Sequence, residues 1–229
     1  MKTALITAAT KGLGKTIALH LAELGWNIAM HYFNSEKEAL KLYNYLEKKY
    51  PNQEFGLFQV DLQDPIAAEQ LVPETIKLMP SLDLLINNAA IIRESPLLQS
   101  PFDLIEKTMQ LNYIAPIILT RDFARLLPQG SIINMHDMHK SKNNPNYAAY
   151  VLSKDGLANL TKLAASEFSP NISVNSISFG TQASEIEHLN DSNEDVYFLK
   201  SKSAEKVLST IDSILANKQL TGQIISCDI

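Results

Sequence analysis

The chain has 229 residues, 45% of them hydrophobic and 20% charged, with a formal net charge of −5, which suits a globular α/β chain that needs no covalent staples to bury its core. The acidic balance argues against a nucleic-acid or anionic-membrane partner. The single cysteine, Cys227, excludes an internal disulfide and fits a reducing, cytoplasmic setting, and no apolar run reaches the roughly 18 residues of a membrane helix.

Met1–Thr7 is too short and too soon broken for a secretory signal and reads as a first strand over Thr3–Thr7. Ile17, Ala18, Leu21 and Leu24 recur at helical spacing, which predicts a helix over Lys15–Leu24 stopped by Gly25. Strands are expected at Asn27–Tyr32 and Phe55–Val60, separated by a helix over Lys37–Tyr50 that Pro51 ends. A helix over Ile66–Met79 leads into Leu82–Asn87, a strand apolar enough to be covered on both faces. Two long helices, Phe102–Leu127 and Tyr147–Phe168, flank a fifth strand at Ser131–Met135. Ser173–Ile177, a helix over Ser203–Ala216 and Gln223–Cys227 complete the pattern. Strand–helix alternation of this kind implies right-handed crossovers. The expected fold is therefore α/β: one Rossmann-type domain over 1–229, a doubly wound parallel sheet of about seven strands with helices on both faces. Thr181–Lys202 breaks the alternation with a polar, acidic stretch and reads as a lid over the site. Ligands in such sheets lie at the carboxyl ends of the strands.

Thr7 to Gly14 joins the first strand to the first helix through a glycine-bearing turn. There the backbone can approach a pyrophosphate, and the helix N-terminus supplies amide donors. Thr7, Lys11, Gly12, Leu13 and Gly14 are the candidate cofactor contacts. Gly14-Lys15-Thr16 also ends like a P-loop, but Ala9 stands where that motif needs its first glycine. The second strand ends on His31-Tyr32, with His31 a further candidate cofactor contact, and no acidic residue follows to hold a ribose 2′-hydroxyl. Lys11, Ser35 and Lys37 would instead surround a 2′-phosphate, which favours NADP(H) over NAD(H). Asp61 could accept from an adenine amino group or cap the next helix.

Tyr150 and Lys154 lie four residues apart on a predicted helix and share a face. An ammonium beside a phenol favours the phenolate, so Tyr150 becomes a usable proton donor and acceptor near neutrality. Tyr45 and Lys49 repeat the spacing, but on a helix away from the crevice, where they read as surface decoration. His136 and His139 lack a clear third partner and are not read as metal ligands; Trp26 reads as core packing and Cys227 as a buried, inert thiol.

Taken in order, these motifs resemble the short-chain dehydrogenase/reductase family over nearly the whole chain. Thr7–Gly14 resembles its glycine-rich turn, Asp61-Leu62 its adenine contact, and Asn87-Asn88-Ala89-Ala90 its Asn-Asn-Ala-Gly segment. Asn112 resembles its helix asparagine, and Tyr150 with Lys154 its active pair. The resemblance implies cofactor contacts from Leu62, Asn88, Ala89, Lys154 and Gly180 as well, and a homodimer or homotetramer built through the long helices. Four departures stand out: Ala8 for the first glycine, Ala90 for the last, Phe179-Gly180 for Pro-Gly, and Asp137 for a serine.

Asp137 bears most on the chemistry. An ionised aspartate cannot donate to a ketone oxygen as serine does. The family's pteridine-reductase branch, including bacterial dihydromonapterin reductases, carries aspartate here. Asn134–Met138, His31-Tyr32 and the helix Tyr150–Phe168 are similar to that branch. The resemblance implies an NADPH-dependent reduction of a dihydropterin C=N bond, with Asp137 and Tyr150 passing the proton and Asn112 ordering a water. Lys154 would hold the nicotinamide ribose, and Asp137, Tyr150 and Lys154 would titrate as a coupled set. Arg93 could face the pterin or the pyrophosphate. The alternatives are a carbonyl reductase for a ketone or acyl substrate and a non-catalytic dinucleotide sensor.

Overall fold

The computed structural model describes residues 1–136, 144–179 and 202–227. Seven strands form one sheet: β1 (Thr3–Ile6), β2 (Asn27–Tyr32), β3 (Phe55–Gln59), β4 (Leu82–Asn87), β5 (Gly130–His136), β6 (Ile172–Ser178) and β7 (Ile224–Ser226). Their order is β3-β2-β1-β4-β5-β6-β7, and every pairing is parallel. β1, β2 and β6 are buried at every residue. Helices cover both faces, so these strands are buried on both sides rather than alternating between core and solvent.

Helices α1 (Gly12–Glu23), α2 (Glu36–Lys49) and α7 (Lys202–Ala216) lie on one face. Ile17, Leu21, Leu46 and Ile211 there pack on Ile6, Met30 and Ile133. On the other face lie α3 (Pro65–Leu78), α4 (Phe102–Met109), α5 (Ala115–Leu126) and α6 (Ala148–Phe168). Leu71, Phe123 and Ala164 there pack on Leu5, Leu85 and Ile132. The chain reverses its direction of progress between β1 and β4, and this opens a crevice at their carboxyl ends. Ile6 is level with both Met30 and Ile86, so the turns after β1, β2 and β4 meet at one height.

Three elements differ from expectation. α1 begins at Gly12, not Lys15, because Gly12 adopts φ +48, which lets the chain turn directly into the helix. α3 is capped by Asp64, whose carboxylate accepts the Ile66 amide at 2.9 Å, with Pro65 at the first helical position. The helix expected over Phe102–Leu127 is interrupted by a π-helical turn at Gln110–Ile114. Of the expected lid, 181–201 lies outside the described residues and Lys202 already begins α7. Among the described residues, no helix is long and apolar enough to cross a membrane.

Candidate active site

Thr7 is the first residue past β1 and is almost fully buried. Its hydroxyl accepts the amides of Asn88 and Ala89, each at 2.8 Å, and donates to the Ile86 carbonyl at 3.3 Å. The Asn88 amide group returns the link by donating to Thr7 O at 2.9 Å and Ala8 O at 3.3 Å. Thr7, Asn88 and Ala89 thus buckle the ends of β1 and β4 together at the point where the strand order reverses. Two glycines make the turn above this buckle possible. A Cβ on Gly14 would lie 2.1 Å from Ala8 O, so only glycine lets α1 pack this closely on the turn. Gly12 has the left-handed φ, and a Cβ there would meet nothing within 4 Å.

Lys11, the residue preceding α1, gives it no side-chain cap. The first amides of α1 therefore keep their donors for a ligand, at the positive end of the helix dipole. Open space before Gly12 and uncapped amides beside it suit the pyrophosphate of a dinucleotide. Leu13 itself turns into the core, so it can offer only its backbone to such a ligand.

His31 supports the turn from beneath. Its Nδ1 accepts the Ala8 amide at 3.1 Å, and Nε2 lies 3.0 Å from the Val60 carbonyl. That pairing requires the neutral ring with its proton on Nε2. Burial, partly offset by the Val60 bond and the charge of Asp61, pushes the imidazole down to about 4. His31 is only 3% exposed and both nitrogens face protein atoms, so it holds the turn rather than reaching into the crevice. The corner expected to take a 2′-phosphate is also partly engaged. The Ser35 and Thr10 hydroxyls lie 2.6 Å apart, and Lys11 Nζ lies 3.3 Å from Glu38 Oε1. The Asp61 carboxylate accepts the Gln63 amide at 2.9 Å. It caps a local turn rather than α3, and Leu62 is buried in the core.

On the other side of the crevice, Tyr150 and Lys154 lie one turn apart on α6, 2% and 3% exposed. Lys154 Nζ donates to the Met135 carbonyl of β5 at 2.9 Å and lies 5.8 Å from the centre of the Tyr150 ring. A buried ammonium is thereby fixed between strand and phenol. Asn112, fully buried, ties this helix to the loop after β4. Its Oδ1 accepts the Ile91 amide at 2.7 Å, while Nδ2 donates to Ile91 O at 2.9 Å and to Ser153 Oγ at 3.1 Å. Ser153 in turn donates to Tyr150 O at 2.7 Å. Asn112 is the buried residue of the π-helical turn, a feature common at functional sites. Gly156 lets Tyr113 of that turn close on α6, since a Cβ there would lie 2.8 Å from the ring.

A buckled glycine turn on β1, facing a buried tyrosine–lysine pair on the helix after β5, is matched by family likeness. Residues 2–195 match the short chain dehydrogenase family. The chain belongs to that family. The 3-oxoacyl-acyl-carrier-protein reductase FabG of Staphylococcus aureus is 32% identical over 183 residues, 78% of this chain and 74% of the relative. NADPH-dependent aldehyde reductase 2 of Arabidopsis thaliana, a chloroplastic protein, is 28% identical over 216 residues, 88% of this chain and 79% of its own. The crystal structure of FolM alternative dihydrofolate reductase 1 from Brucella canis, complexed with NADP, has a TM-score of 0.85 and 25% identity, covering 99% of this chain and 92% of that one.

Within this short chain dehydrogenase, the departures from the family pattern divide by backbone demand. Ala8 sits at φ +51, where a non-glycine residue costs about 1–2 kcal/mol. His31 and Asn88 hold it there through its amide and its carbonyl. Ala90 carries no left-handed φ, so nothing in its backbone requires glycine. Phe179 packs against the core, and its amide donates to the His136 carbonyl at 3.2 Å. Asp137, His139 and Gly180 lie outside the described residues. Arg93 is exposed and lines a cavity of about 460 Å3 with Gln63, Ile91, Asp103, Leu104 and Lys107, a group that includes neither Tyr150 nor Lys154. Trp26 packs partly against the core, with Lys2 Nζ 5.4 Å from its ring centre. Cys227 is buried beside Thr210. Lys49 lies 5.5 Å from the Tyr45 ring, which is half exposed, as expected of a surface pair. Sequence reading missed Ser153, Glu38 and the supporting role of His31. Ser153 had a signal, since it lies between Tyr150 and Lys154 on the same helix.

Proposed function

We propose that this short chain dehydrogenase is an NADPH-dependent reductase of a dihydropterin or related pteridine. The observation that carries the reading is the buried Tyr150–Lys154 pair, fixed through Met135 at the carboxyl edge of the sheet, across the crevice from the glycine turn. The amides of Gly12, Leu13 and Gly14 would hold the pyrophosphate, with Thr7, Asn88 and Ala89 shaping the floor. Lys11 and Ser35 would meet the 2′-phosphate, Asp61 and the backbone of Leu62 the adenine, Lys154 the nicotinamide ribose, and Gly180 the nicotinamide end. When bound, the reduced nicotinamide supplies a hydride. Tyr150 then supplies the proton gained by the ring nitrogen as its C=N bond is reduced, and the Lys154 ammonium stabilises the phenolate left behind. Asn112 keeps Tyr150 and Lys154 in register with the β4 loop. Asp137, one residue beyond β5, would assist the proton transfer, since a carboxylic acid or its bridged water can serve a basic ring nitrogen.

The aspartate in place of serine and the likeness to the Brucella protein support the pteridine reading. The lone cysteine supports a reducing, cytoplasmic setting, and a homodimer or homotetramer is part of the same reading. A second reading, reduction of a 3-oxoacyl or aldehyde carbonyl, is favoured by the Staphylococcus and Arabidopsis relatives. NADPH oxidation with dihydromonapterin, dihydrobiopterin, dihydrofolate and a 3-oxoacyl thioester separates the two. Turnover confined to the pteridines is expected. Turnover of the thioester alone would replace the first reading by the second.

A further inference from the structure

Glu38 stands in the first turn of α2, and Lys11 immediately precedes α1. Their ion pair, 3.3 Å from Nζ to Oε1, spans the two helix starts that flank the end of β2. A hydrogen bond from its own backbone amide, with further help from Lys11 and Lys41, holds the Glu38 carboxyl below the usual range, so it stays ionised at neutral pH. Ser35 heads α2 without capping it, its hydroxyl engaged by Thr10 instead. The Lys11 ammonium is thus paired with a carboxylate that the protein itself provides.

We propose that Glu38 sets the discrimination between phosphorylated and unphosphorylated dinucleotides, by holding Lys11 as an internal counterion that a ribose 2′-phosphate must displace. The proposal rests on the cofactor reading given above. Both side chains are largely open to water, 62% and 39% exposed. Such a pair is weak and readily exchanged. A phosphate carrying about −1.5 to −2 charges is the stronger partner for Lys11. Its arrival beside Glu38 nevertheless sets two anions against one ammonium. Glu38 therefore tempers the preference for the phosphorylated cofactor, which the lysine alone would make steeper.

The test compares dissociation constants of NADPH and NADH, read by nucleotide fluorescence, for the full chain and for Glu38→Gln, Lys11→Met and the double variant. Glu38→Gln is expected to tighten NADPH by about two- to fivefold, and to change NADH far less, at low ionic strength. The gain should shrink at high salt and be smaller once Lys11 is replaced, when only the direct repulsion between Glu38 and the phosphate is left to relieve. Two results would overturn the proposal: an equal or larger change in NADH affinity, which would place the influence of Glu38 elsewhere than on the 2′-phosphate, or a gain undiminished without Lys11. Failure of the unaltered chain to bind either nucleotide would instead overturn the cofactor reading, and this proposal with it.

Discussion

Replacing Gly14 by alanine tests how the cofactor turn is built. The added Cβ would lie 2.1 Å from Ala8 O, 2.8 Å from Asn88 Nδ2 and 2.9 Å from the Ala8 carbonyl carbon. Non-bonded heavy atoms rest about 3.5–4.0 Å apart, so the turn must retreat by more than about an ångström. It has little room to do so, because His31 holds the Ala8 amide and Asn88 the Ala8 carbonyl. Overpacking of this kind costs about 1–3 kcal/mol, while alanine in a helix regains up to about 1 kcal/mol over glycine. A net loss of about 1–2 kcal/mol is expected in urea unfolding without ligand. NADPH should bind about tenfold or more weakly, as the α1 amides are displaced. Gly12→Ala is the comparison: it meets no atom within 4 Å and bears only the strain of φ +48. Wild-type stability together with wild-type NADPH affinity in Gly14→Ala would refute the packing argument.

His31 makes stability depend on pH. Its folded-state value of about 4 lies below the ordinary 6.5. Stability from this group is therefore complete above about 6.5 and is lost as the pH falls toward 4, by about 3 kcal/mol across the window. Urea unfolding at pH 7 and pH 5 should show about 2 kcal/mol of this loss in the wild type and much less in His31→Gln; equal losses would contradict it. Asn112→Ala removes three hydrogen bonds that tie Ile91 to Ser153. It should cost about 2–4 kcal/mol and lower kcat more than it raises the KM for NADPH; an unchanged kcat would mean that the tie does not position Tyr150.

Much of the fold is legible because both sheet faces are covered. β1 and β4 carry unbroken apolar stretches, Ala4–Ile6 and Leu84–Ile86, and the helices around them show a 3.6-residue stripe. The π-helical turn is not legible, since Gln110–Ile114 keeps the polar–apolar rhythm of the helix around it. It shows only in the backbone over Gln110–Ile114, where Tyr113 also closes on Gly156. Asp64-Pro65 was a readable start signal for α3, overshadowed by Asp61 three residues earlier. Tyr150, Lys154, Thr7 and Asn88 were readable by type and order, and the structure brings them to one edge of the sheet. His31 was not, because a histidine at a strand end looks the same whether it faces a ligand or a neighbouring carbonyl. Glu38 was missed for a related reason: it lies one residue past Lys37 on an exposed turn, and its pairing with Lys11 depends on how two helix starts approach.

The most direct test of the central claim is the rate of NADPH oxidation by Tyr150→Phe with whichever pteridine the wild type reduces. Phenylalanine keeps the buried ring and the Lys154 contact but removes the proton. A fall in kcat of about a hundredfold or more, with NADPH affinity retained, is expected if Tyr150 is the proton donor. Turnover equal to the wild type would contradict it.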